Sequence, residues 1–94
     1  MANSVVFNVT YDARTDVLYI STKREAAARA TEDEYGIVWR YGPDGTLIGA
    51  TVVDFVELWS DKGEALAAKI ADHFGIPEPQ ALIVVEHALE DRAH

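Results

Sequence analysis

The sequence predicts an α+β fold, a four- to five-stranded antiparallel β-meander with one or two C-terminal helices packed on one face. Three observations lead there. Residues 5–57 are dense in β-branched and aromatic residues, open with alternation, and are punctuated by turn residues. After Glu57 the apolar spacing lengthens to a helical period. The chain has 94 residues and is 49% apolar, which fits one globular domain with one modest core. Residues 5–57 are therefore read as the sheet and 58–94 as a helical extension of the same single domain.

The first strand is VVFNVTY, residues 5–11. Val5, Phe7, Val9 and Tyr11 fall on one face, Asn8 and Thr10 on the other. The second is DVLYIST, residues 16–22. Between them lies Asp12-Ala13-Arg14-Thr15. An Asp at the first position of a tight turn accepts bonds from backbone N–H groups further along, so Asp12 is read as a turn residue that closes a hairpin rather than as a catalytic or metal-binding acid.

Lys23–Ala27 reads as a connection with room for one helical turn, since REAAARA favours helix but is too short to hold one alone. Arg29–Glu34 reads as a charged edge strand. Gly36 separates it from the strand Ile37–Tyr41. In Gly42-Pro43-Asp44-Gly45 the proline presets φ and Gly45 tolerates positive φ, which predicts a type I turn with a bulge. The returning strand is Leu47–Val53, where Gly49 marks a bulge or a close backbone approach.

Asp61 and Glu64 have the spacing of a capping box. Leu66, Ala67, Ile70 and Phe74 follow on one helical face, and Gly75 with Pro77 beyond it marks the stop. Residues 78–92 contain the β-branched run ALIVV. Pro79 at a first-turn position and the spacing of Leu82, Val85 and Leu89 favour a second helix.

The net charge is −8 and unevenly spread. Residues 1–30 carry four bases and three acids; residues 31–94 carry four bases and thirteen acids. Phosphate neutralisation needs a basic face, which the acidic two thirds cannot supply, so no nucleic-acid binding is expected. The order strand, helix, turn, helix over residues 50–92 matches a ribbon-helix-helix repressor. Its outward strand residues would be Thr51, Asp54 and Glu57, and the two acids among them would repel phosphate. An acidic body suits a basic protein partner. No apolar run approaches the length of a membrane span, and MANSVVFNVTYD has no signal-peptide pattern, so no membrane association and a cytoplasmic location are expected.

Candidate chemistry is sparse. The chain has no cysteine, and Ser4, Ser21 and Ser60 lack a nucleophile-elbow context. His87 stands at helical spacing from Glu90 and Asp91, but one such pair falls short of the three protein ligands of catalytic zinc. His94 is the last residue. Glu32-Asp33-Glu34 lacks the alternating ligands and turn glycine of a calcium loop. No P-loop or G-x-G-x-x-G occurs, and no cofactor, metal site or catalytic residue is assigned. Trp39 shares a strand face with Ile37 and Tyr41 and reads as core. Trp59 covers a core edge or an interface.

One longer pattern joins these pieces. Tyr11-Asp12, Asp16, Leu18-Tyr19-Ile20, Gly36-Ile37-Val38, Tyr41, Asp44-Gly45, Leu47-Ile48-Gly49 and Asp54 together resemble Domain of Unknown Function 2283, a bacterial family. The resemblance spans residues 9–54. It implies a small antiparallel β-meander and brings no established catalytic residues. Some members are thought to be encoded beside small toxin candidates, which implies an antitoxin-like role. Thr51 stands where the family often has glutamate, and residues 55–94 lie outside the usual short domain.

The expected function is a non-enzymatic protein–protein interaction module. The alternative is a small metal-dependent or His/acid hydrolase built on His73 or His87. Leu82, Ile83, Val84 and Val85 point nearly all round a helix axis, so one side packs inward and the other faces water. A homodimer is expected, with Leu82, Ile83, Val84 and Trp59 as its interface.

Overall fold

In the computed structural model, residues 7–23 and 25–91 are described. Five strands, β1 (Asn8–Asp12), β2 (Val17–Ser21), β3 (Arg29–Glu32), β4 (Ile37–Tyr41) and β5 (Leu47–Val53), precede three helices, α1 (Phe55–Trp59), α2 (Gly63–Phe74) and α3 (Glu78–Asp91). All strand pairs are antiparallel. The α+β class is as the sequence predicts. Val5 lies outside the described residues.

The strand order is β1-β2-β5-β4-β3, so the sheet is not one continuous meander. After the β1–β2 hairpin the chain crosses the sheet to form the far edge, and β3, β4 and β5 then meander back to the centre. The crossing segment meets the sheet where Lys23, Glu25, Ala26 and Ala27 gather with Arg40, Ile48 and Gly49. Among its described residues it forms bends rather than a helical turn. Thr22 N donates to Ile48 O at 2.9 Å and Ala28 N to Tyr41 O at 2.8 Å, pinning both ends. The reason for the order is burial. β5 is the most apolar strand and is buried through most of its length, so the centre suits it best. β3 is exposed throughout and suits an edge.

The turns follow their local chemistry. Asp12 Oδ1 accepts from Arg14 N at 3.0 Å, the Asx turn expected of it. Gly45 has φ 84°, and a register shift lies between Arg40 and Tyr41, as a turn with a bulge requires. A Cβ on Gly49 would stand 3.0 Å from Ile20 O, so that glycine marks a close backbone approach. At the β3–β4 turn, Asp33 Oδ1 accepts from Tyr35 N and Ile37 N, and its Oδ2 from Trp39 Nε1 at 3.2 Å. Burial alone would raise the Asp33 pKa. The N–H groups of Ile37 and Tyr35, the Trp39 indole and the Lys69 charge outweigh it and lower the pKa below its ordinary 3.8.

Two expectations after β5 need correction. The sheet does not run to Glu57; Phe55–Trp59 are already helical, giving three helices rather than one or two. The cause is distant in sequence. Asp16 O accepts from Phe55 N at 3.0 Å, and the Asp16 carboxylate accepts from Val56 N at 2.9 Å and Glu57 N at 3.2 Å. It also accepts from Tyr11 Oη at 2.7 Å. Asp16 thus caps α1 from the β1–β2 hairpin, while Asp54 makes the turn into the helix at φ 55° with no side-chain cap bond of its own. Nor does the capping box of Asp61 and Glu64 form. Lys62 is the N-cap of α2 and makes no side-chain cap bond. Lys62 N donates to Trp59 O at 3.0 Å, a tight link from α1 that leaves Asp61 one residue outside the helix. Gly75 closes α2 at φ 69°, its N–H donating to Ala71 O, as expected.

The core lies between one sheet face and the helices. Leu18, Ile20, Ile37, Trp39, Ala50 and Val52 meet Phe55, Trp59, Leu66, Ala67, Ile70, Ala81, Val85 and Ala88. On α3 the deepest line is Ala81, Val85 and Ala88, with Leu82 and Leu89 half-buried beside it. No described helix is long and apolar enough to cross a membrane.

Candidate interaction surface

The two sheet edges differ in chemistry. β3 is short and bears Arg29 and Glu32, charges that discourage pairing with another strand. β1, Asn-Val-Thr-Tyr-Asp, has no base and only Asp12 at its end. Its outer backbone edge is the unguarded one.

Beside β1 runs α3. Ile83 is 67% exposed, the most open of the large apolar side chains among the described residues. Phe7, Val9, Gln80, Ile83, Val84 and His87 line a groove of about 410 Å³ between the helix and the strand that begins the sheet. Phe7 stands edge-on to Phe74, ring centroids 5.2 Å apart, so the groove floor is braced by α2. Apolar side chains on a helix thus lie next to a strand edge that pairs with no other strand among the described residues.

The structure separates the four interface residues expected from sequence. Ile83 and Val84 share the β1 groove. Leu82 lines a different one, with Ser60, Asp61, Glu86 and Leu89 near the start of α2. Trp59 is turned inward at 5% exposure and packs edge-on to Tyr35 at 6.0 Å. Phe7, Val9, Gln80 and His87 belong to the surface but were not singled out from sequence as its members. The alternation of Phe7 and Val9 showed their shared face, but nothing local ties that face to α3.

His73 and His87 sit in different parts of the fold. The His73 ring stacks on Trp39 with centroids 3.7 Å apart and planes 1° from parallel, and its Nδ1 lies 2.9 Å from Lys69 O. His87 lies in the β1 groove. Among the described residues no three His, Asp or Glu side chains are grouped to hold a metal ion; His94 lies outside them. Asp12 and Asp16, close in sequence, bond backbone groups at different places rather than a common point. The ribbon-helix-helix arrangement is also not the one found. β5 is paired on both sides, by β2 and β4, and cannot lie in a groove of DNA as a free ribbon. Thr51, on the sheet face away from the helices, accepts a hydrogen bond from the Arg40 guanidinium.

Comparison with known proteins gives one family. No curated protein matches the chain, and no solved structure does. The family model described as protein of unknown function (DUF2283) matches residues 8–55, from the first residue of β1 to the first of α1. The match covers just over half of the chain, spans every strand of the sheet and ends on the residue whose N–H bonds Asp16; the chain belongs to the DUF2283 family.

Proposed function

We propose that the chain is a non-enzymatic protein–protein interaction module that pairs with a second copy of itself along β1 and the Ile83 face of α3. The observation that carries this reading is the unguarded β1 edge lying beside an exposed apolar helix face. Two β1 strands paired antiparallel about a twofold axis would extend the sheet across both copies and bring the two α3 helices together. Burying an isoleucine fully is worth roughly 1.5–3 kcal/mol, and each copy supplies one. Exposed Glu78, Glu86 and Glu90 on α3 add an acidic surface suited to a basic partner, the form an antitoxin-like role would take. The same acidity argues against nucleic acid as the partner. The proposed setting is the cytoplasm.

Light scattering on the purified full chain tests the pairing. A two-chain mass at micromolar concentration is expected, and Ile83→Glu should give a folded single chain, because that side chain has little to lose in the monomer. A one-chain mass for the unmodified protein would overturn the reading.

A further inference from the structure

A second feature lies away from β1. Tyr35, Leu58, Trp59, Lys62, Ala65 and Lys69 line a cleft of about 230 Å³ between α1, α2 and the β3–β4 turn. We propose that this cleft binds a small amphipathic acid, one ring or short branched hydrocarbon carrying a single carboxylate.

The lining comes from one helical face and two aromatics. Lys62, Ala65 and Lys69 are spaced three and four residues apart, so they stack along one side of the start of α2. Tyr35 and Leu58 are 46% and 45% exposed, an apolar patch that the fold leaves open. The Lys69 ammonium sits 4.0 Å over the Tyr35 ring, which holds it at the cleft. Asp33 partly offsets Lys69, but its oxygens are engaged by Tyr35 N, Ile37 N and Trp39 Nε1, and Lys62 is exposed.

Charge selects an anion. Residues 31–94 carry thirteen acids and four bases, and two of those four meet here. A cation would face two ammonium groups, and a neutral molecule would gain nothing from their charge. Size selects a small one. An apolar cavity of about 150 Å³ holds benzene, so this volume takes one ring with a short acid tail. Trp59 also lines the cleft, and its indole N–H is buried with no acceptor among the described residues.

Titration of the isotope-labelled full chain with phenylbutyrate, and in parallel with its uncharged amide, decides the matter by NMR at neutral pH. The acid is expected to bind roughly ten-fold more tightly than the amide, with shifts centred on Tyr35, Leu58 and the Trp59 indole N–H. Lys62→Gln with Lys69→Gln changes only exposed or half-exposed side chains. It should erase that preference while leaving the core resonances in place. Equal binding of acid and amide, no cleft shifts at millimolar acid, or a preference that survives the double substitution would each overturn the assignment.

Discussion

Replacing Asp16 tests the link that joins the first hairpin to the helices. Its carboxylate accepts from Tyr11 Oη, Val56 N and Glu57 N, and its backbone holds φ at 57°. Asp16→Ala removes the cap, worth about 0.5–2 kcal/mol. It removes the bond from the half-buried Tyr11 hydroxyl, at a further cost of about 1 kcal/mol. It also places alanine in a left-handed conformation that costs about 1–2 kcal/mol and that aspartate and asparagine tolerate better. These terms share atoms, so a loss of about 2–4 kcal/mol is expected rather than their full sum. Asp16→Gly relieves only the backbone part and should fall about 1 kcal/mol short of alanine. Asp16→Asn keeps one acceptor and the tolerated backbone, and should lose least, about 1–2 kcal/mol. Urea denaturation followed by circular dichroism measures the series. An alanine variant within about 0.5 kcal/mol of the unmodified protein would refute the cap, and glycine worse than alanine would refute the backbone share.

Other substitutions probe separate contacts. Gly49→Ala puts a Cβ 3.0 Å from Ile20 O, backbone that cannot easily yield, and should destabilise by about 1–3 kcal/mol in the same assay. Gly63→Ala should instead stabilise by about 0.5–1 kcal/mol, because its Cβ would meet Val85 and Leu89 at ordinary distances of 3.5 and 3.6 Å while the unfolded chain loses freedom. The Asp33 pKa is lowered in the folded state, so its contribution is present above the unfolded value near 3.8 and is lost as pH falls through the folded value. Asp33→Asn should therefore lose about 1 kcal/mol at neutral pH and show a shallower stability decline in acid, read from denaturation midpoints across that range.

Much of the sheet was legible because its signals are local. Alternation placed Phe7, Val9 and Tyr11 on one face, and Pro43 and Gly45 identified their turn. Strand order was not legible, since β2 could find its second partner only by comparing buried faces across the whole chain. The short α1 was hidden for a related reason. Its cap is Asp16, on the far side of the sheet's sequence, and the nearer Asp61 offered a more conventional start that the tight α1–α2 link displaces. The candidate surface was half visible. Four successive apolar residues announced Ile83 as exposed, but its neighbours on β1 come from the opposite end of the chain. Trp59 could cover a core edge or join an interface by its sequence position, and its burial beside Tyr35 places it at the core edge.

The central position of β5 has a kinetic consequence. During synthesis the β1–β2 hairpin emerges first and the β3–β4 pair second, and neither touches the other through the sheet. Only the last strand bridges them, and Phe55, two residues beyond its end, docks on Asp16. A nascent chain stopped before Leu47 holds two separate fragments with apolar faces open to water. The completed fold is thus sealed late, by a keystone strand, and the interval before it arrives is when the chain is most exposed to misassembly.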